Sequence, residues 1–257
     1  NYPDKSLVTS LENFEKHLKY LKKKCDLISL DNFININEND SKKFKVCITF
    51  DDGYKDNLDY VLPLINKYQV PITIYITTRF LEEEVCLWWY ELWEILEKNI
   101  FINFIWNSKV YNFVNKNKNN KIKAYNKLSK LFLSENLINQ EKLLSLIGKS
   151  NKRNNYSHIF LEKNDLQKLD NNSLVTIGMH SHSHLRFSIL DDKKIVHEME
   201  TSIKILKENL HSKINHFAYP YGQKIDINKT SLNIIRSHGL KSVTTTINKN
   251  IFFDNFN

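Results

Sequence analysis

The feature that most narrows the folds open to this chain is Val46-Cys47-Ile48-Thr49-Phe50-Asp51-Asp52-Gly53-Tyr54, an apolar run that ends in two adjacent carboxylates and a glycine. Val, Ile and Phe favour a strand covered on both faces, and Gly53 permits the sharp turn that follows. In a barrel or open sheet of parallel strands, the C-terminal strand ends carry the chemistry, so Asp51 and Asp52 fall at a functional rim. Successive residues point in different directions as the chain leaves a strand, which lets one acid hold a cation while the other faces a substrate. Taken alone, the stretch also reads as a solvated Asp-Asp-Gly turn.

A second apolar run, Thr176-Ile177-Gly178-Met179, leads into His180-Ser181-His182-Ser183-His184. If the segment turns helically after the strand, His180 and His184 can converge on one metal. One carboxylate then completes a two-His, one-Asp set with positions left open for water and substrate. A third run, His216-Phe217-Ala218-Tyr219-Pro220-Tyr221-Gly222, is another strand end, closed by a proline that stops ladder pairing.

In this order, Thr49-Phe50-Asp51-Asp52-Gly53, His180-Ser181-x-x-His184 and Tyr219-Pro220-Tyr221-Gly222 resemble the first three motifs of the polysaccharide deacetylase family, carbohydrate esterase family 4. The third motif is the Phe-Ala-Tyr-Pro-Tyr-Gly variant. Weaker similarity runs from about Thr9 to about Asn250, outside the long middle segment. The resemblance implies an α/β fold, a distorted (β/α) barrel of the polysaccharide deacetylase type, here with a mainly helical insertion. It also implies metal-dependent removal of an N-acyl group, first of all N-acetyl, from an amino sugar. Carried over position by position, Asp52, His180 and His184 would hold a divalent metal, Zn2+ before Co2+ or Ni2+. Asp51 would be the general base, and the Tyr221 N–H would steady the oxyanion. Tyr54, Pro220 and Trp88 are expected to contact the substrate, a carbohydrate or glycolipid of a polysaccharide or cell-surface glycan precursor.

Two family features are displaced. The Arg that often precedes the Pro-Tyr-Gly turn gives way to Phe217-Ala218-Tyr219, and the late Leu-x-x-His motif is not found before Asn257. Either the chain is cut short or another group protonates the leaving amine, Asp51 or less favourably His182. Deformylation of lipid-linked amino sugars and O-acetyl ester hydrolysis are close variants of the reaction. A non-catalytic carbohydrate-binding module is the alternative of another class, and the retained Asp51 argues against it.

Elsewhere the patterning predicts one domain over residues 1–257. Thr9 and Glu12 fit a capping box ahead of an amphipathic helix. Leu27-Ile28-Ser29-Leu30 reads as a strand and Asp31 to Lys45 as a loop. Asp56 to Gln69 has helical spacing kinked at Pro63, and Val70 to Thr78 is β-branched, so strand, helix and strand form a βαβ unit. From about 81 to 164 that alternation stops. Trp88, Trp89, Leu92, Trp93 and Leu96 make one helical face, and Leu128, Leu131, Leu143, Leu144 and Ile147 make another. Core packing is the plainer role for the tryptophans, and stacking of Trp88 or Trp89 on a sugar ring or lipid carrier is the sharper one. Asn115 to Lys123 reads as a solvated loop. Beyond it, Asp191 to Leu210 and Asn228 to His238 read as helices, and Phe217 to Tyr219 and Lys241 to Thr246 as strands.

The net charge is +8, with 37 Lys+Arg against 29 Asp+Glu. The lysines are interleaved with asparagines and no nucleic-acid motif accompanies them, so no nucleic-acid partner is expected. Cys25, Cys47 and Cys86 read as core thiols. No run is long and apolar enough to span a membrane. A cytoplasmic location is the first expectation, although a chain beginning at Asn1 leaves room for a missing signal.

Overall fold

The computed structural model of the chain describes residues 8–36, 43–150 and 152–249. Its elements begin with α1 (Leu11–Lys24), β1 (Asp26–Leu27), α2 (Leu30–Ile34), β2 (Lys45–Val46), β3 (Ile48–Phe50), α3 (Leu62–Tyr68) and β4 (Ile72–Ile76). There follow α4 (Trp88–Lys98), β5 (Phe101–Trp106), β6 (Lys109–Val114), α5 (Lys118–Phe132) and α6 (Leu137–Gly148). The chain continues with α7 (Lys163–Asp170), β7 (Val175–Met179), α8 (Asp192–Asn209), β8 (His216–Ala218), α9 (Lys229–Ser237) and β9 (Ser242–Thr244). They divide into two compact units, Ser10–Glu82 with His158–Asn257, and Asn1–Thr9 with Glu83–Ser157.

The first unit is a curled, parallel half-barrel sheet in the order β3-β4-β7-β8-β9, which is the mixed α/β barrel fold expected from the motifs. A short parallel pair, β1-β2, lies apart from it. Every residue of Ile72–Ile76 is buried, as a central parallel strand requires. Parallel neighbours need crossover helices, and α8 covers the sheet with Ile195, Met199 and Leu206, spaced by about one and two helical turns. All five strands end on the same edge, so the loops after Phe50, Met179 and Ala218 open on one side.

Several local expectations shift. Ser10 rather than Thr9 caps α1, accepting from the Asn13 N–H. The strand at Leu27–Leu30 is shorter, and Ser29 caps α2 where a loop was expected; of that loop, residues 37–42 lie outside those described. Asn57–Val61 forms a π-helical turn that runs without a break into α3 at Leu62, so the helical stretch expected over Asp56–Gln69 is present, with Pro63 directly after its π-helical turn.

The second unit packs α4, α5 and α6 with an antiparallel hairpin, β5-β6, around Trp88, Leu92, Trp93, Ile102, Phe104 and Leu128. Helical spacing alone missed the hairpin, whose signature is alternation: Ile102 and Phe104 are buried between exposed Phe101, Asn103 and Ile105. The stretch read as a solvated loop is also partly helical, because Asn117 caps α5 through the Asn120 N–H. Cys86 is exposed rather than core.

Candidate metal and catalytic centre

The loops leaving β3 and β7 bring Asp52, His180 and His184 together, with one ligand-type atom from each lying within 4.8 Å of the others. His184 Nε2 lies 3.2 Å and His180 Nε2 3.6 Å from Asp52 Oδ1. His180 follows β7 directly, its N–H donating to Ile76 O and its carbonyl accepting from Thr77 Oγ1. The ring is almost wholly buried, and its Nδ1 lies 2.8 Å from Ala218 O, a bond that makes Nδ1 the donor and leaves the Nε2 lone pair facing Asp52.

Charge balance favours the same use. Burial works against ionised Asp52, yet the attraction of His184 and then His180 overcomes it and holds the carboxyl below its ordinary range. Burial pushes His180 toward the neutral form, with Asp51 and Asp52 opposing. An ionised carboxylate beside neutral imidazole is the protonation state a divalent cation needs. Asp52 Oδ1 is buried and takes no well-formed hydrogen bond from a described residue, so it keeps acceptor capacity for such an ion. These residues therefore fit the metal that the motifs imply.

The backbone here is unusual. Asp52, Ser181, His184 and Tyr221 all have positive φ, at 71°, 62°, 56° and 62°, although none is glycine. Gly53 N–H donates to Asp51 O and Gly222 N–H to Pro220 O, so tight turns close around Asp52 and Tyr221. Strain of this kind concentrates where side chains must be aimed rather than merely packed.

Asp51 stands at the rim beside Asp52. It keeps solvent contact, but the crowding protein pushes its carboxyl above the ordinary range, with His180 opposing and Asp52 adding to the effect. Tyr221 lies on the far side of His184, ring centroids 4.7 Å apart, and the Arg186 guanidinium lies 5.6 Å from the same tyrosine ring. Pro220 is buried, and Tyr54 stacks on Phe160 at 4.7 Å. Trp88 belongs to the other unit, where it is 7% exposed and stacks on Phe132 at 4.9 Å. His182 Nδ1 lies 3.0 Å from Thr78 Oγ1.

Two supports escaped sequence reasoning. Glu198, on α8, accepts from the His182 and Ser183 N–H groups at 2.9 and 2.7 Å and from Ser183 Oγ at 2.6 Å. Ser202, one turn later, donates to Ser181 O. Both sit on the otherwise apolar stripe of α8, and a carboxylate on a buried face is the signal that marks Glu198. The second support is Asp226, fully buried, which accepts from Arg186 Nε and Nη2 at 2.8 and 2.9 Å, from Gln223 N–H at 3.0 Å and from Ser188 Oγ at 3.2 Å. It ties the histidine loop to the turn carrying Tyr221.

The family model described as polysaccharide deacetylase matches residues 38–104 and 106–243. A search of curated proteins found no match. Among solved structures, the deacetylase domain of BpsB from Bordetella bronchiseptica aligns with TM-score 0.58 and 13% identity over 95% of this chain and 81% of its own. A de-N-acetylase from Aggregatibacter actinomycetemcomitans aligns with TM-score 0.57 and 13% identity, over 97% and 84%. IcaB from Ammonifex degensii aligns with TM-score 0.51 and 15% identity, over 93% and 76%. At these identities the likeness is one of fold.

Proposed function

The chain belongs to the polysaccharide deacetylase family, and on that premise we propose that it hydrolyses an N-acyl group, first of all N-acetyl, from an amino sugar of a glycan or glycan precursor. The observation that carries the reading is the convergence of Asp52, His180 and His184 on one point, beside a second carboxylate that is not part of the cluster. Those three residues would hold a divalent ion, Zn2+ before Co2+ or Ni2+, which when bound polarises an acyl oxygen and acidifies water.

The chain's own groups do the rest. Ala218 O fixes the His180 tautomer, so the imidazole need not reorganise. Asp51, its carboxyl raised toward neutrality, accepts the proton of the attacking water and returns it to the leaving amine. The Tyr221 N–H donates to the developing oxyanion, a contribution of about 3 kcal/mol per donor in other enzymes. Tyr54 and Pro220 border this rim as substrate contacts, and Trp88 is assigned to substrate only through the capacity of its indole to stack on a sugar ring or lipid carrier.

The test pairs metal content with acetate release from N-acetylated amino-sugar oligomers. Wild type binds about one ion per chain. His180→Ala loses ion and activity together, whereas Asp51→Asn keeps the ion and loses acetate release. Wild-type protein that takes up no ion after loading overturns the reading.

A further inference from the structure

The second unit carries a surface that the reaction does not use. In the hairpin β5-β6, Asn107 and Ser108 both have positive φ and close a two-residue turn, which sets Phe101 opposite Val114, Asn103 opposite Asn112 and Ile105 opposite Val110. The alternate pairs, Ile102 with Phe113 and Phe104 with Tyr111, turn inward onto the helices of the unit. An antiparallel ribbon with one buried face normally has a polar outer face. Here four of the six outward side chains are apolar, and Phe101, Ile105, Val110 and Val114 are 69, 64, 62 and 46% exposed. Single exposed hydrophobes are ordinary, but two cross-strand pairs on one ribbon face form a patch.

The segment that forms and follows the ribbon is one-sided in charge. From Lys98 to Lys130 there are eight lysines and no Asp, Glu or Arg. Lys98 is engaged by Glu94, but Lys116, Lys118 and Lys123 are exposed and make no ion pair among the described residues. We propose that the outer face of β5-β6 docks on an anionic lipid bilayer, the apolar pairs entering the headgroup boundary while the flanking lysines meet acidic headgroups. A purely anionic polymer would leave Phe101 and Ile105 unused. A second copy of the chain would bring two lysine rims together with no acidic residue from this segment between them. A lipid surface satisfies both features at once.

The experiment is co-sedimentation of the full chain with phosphatidylcholine vesicles, with and without phosphatidylglycerol, at low and high salt. Binding is expected to need phosphatidylglycerol, to weaken with salt, and to fall about tenfold or more for Phe101→Ser/Ile105→Ser and for Lys116→Glu/Lys118→Glu/Lys123→Glu. Both sets change exposed side chains, so unaltered circular dichroism and melting should accompany the loss. Three results overturn the proposal: no binding to phosphatidylglycerol vesicles, binding indifferent to both sets, or a dimer in sedimentation equilibrium that Phe101→Ser/Ile105→Ser dissolves while vesicle binding is absent.

Discussion

Replacing Glu198 tests whether the histidine loop is held from behind or merely packed. Its carboxylate is 5% exposed and accepts three hydrogen bonds from two consecutive residues of the loop between His180 and His184. Glu198→Ala leaves two backbone N–H groups without that acceptor, each worth about 1–3 kcal/mol when buried. The loop keeps other anchors: Thr78 N–H and Ser202 Oγ to Ser181 O, and Arg79 N–H to His182 O. The loss is therefore shared, and we expect about 2–4 kcal/mol of global stability to go. Because the loosened segment carries two of the three cation donors, metal affinity should fall about 10- to 100-fold, or roughly 1.4–2.7 kcal/mol. Glu198→Gln keeps one carbonyl oxygen for the backbone pair, and Ser183 Oγ can turn to accept from the new amide, so it should recover most of the affinity. The assay is competition for Zn2+ or Co2+ against a chromophoric chelator, run beside a thermal melt. Glu198→Ala protein that melts early yet binds metal as tightly as wild type would refute the reasoning and make Glu198 a residue of the fold alone.

Other consequences can be checked with simple variants. A Cβ added at Gly178 would lie 2.5 and 2.6 Å from Tyr75 ring carbons and 3.1 Å from His216 O. Tyr75 is buried and tied through its hydroxyl to Thr244, so Gly178→Ala should cost about 1–3 kcal/mol and lower Tm by several degrees; an unchanged melt would show that the ring yields. Asp226→Asn breaks a buried ion pair and should cost about 3 kcal/mol; if Asp226 also steadies the Tyr221 turn, kcat falls while metal affinity holds, and equal loss of both contradicts that role. Burial lowers the pKa of His216, with Asp31 opposing, below the usual histidine value near 6.5. The unfolded chain then takes up the proton first, so this stability is complete above about pH 6.5 and is lost as pH falls through the lower folded value. His216→Asn should flatten the pH dependence of urea midpoints between about pH 7.5 and 5, and a curve parallel to wild type would contradict the assignment.

The residues differ in how far the sequence alone could place them. Val70–Thr78 was legible as a strand because burial on both faces leaves a continuous apolar run, and the half-barrel follows from such runs alternating with helices; Val46–Phe50, expected as one strand covered on both faces, instead divides into two short half-buried strands, β2 and the sheet-edge β3. The hairpin Phe101–Val114 was passed over because its alternation is embedded in a stretch whose flanks have helical spacing. The start of α5 was misread because a cap such as Asn117 is one residue, and its effect depends on where the next element is free to go.

By itself, then, the sequence determined that strand ends would present Asp51-Asp52, His180 and His184, and a Pro-Tyr-Gly turn, since apolar runs, ligand side chains and turn residues are local patterns. Tertiary structure decided what aims them. Ala218 O meets His180 across 38 residues, Glu198 meets Ser183 across 15, and Asp226 meets Arg186 across 40. No periodicity encodes such contacts, because hydrogen bonds between loops form only after the sheet has set which strand ends are neighbours. Asp52 and Gly178 show the same division: a positive φ and a missing Cβ mean little in the string of letters, and acquire their reason from the imidazoles and the tyrosine ring the fold places against them.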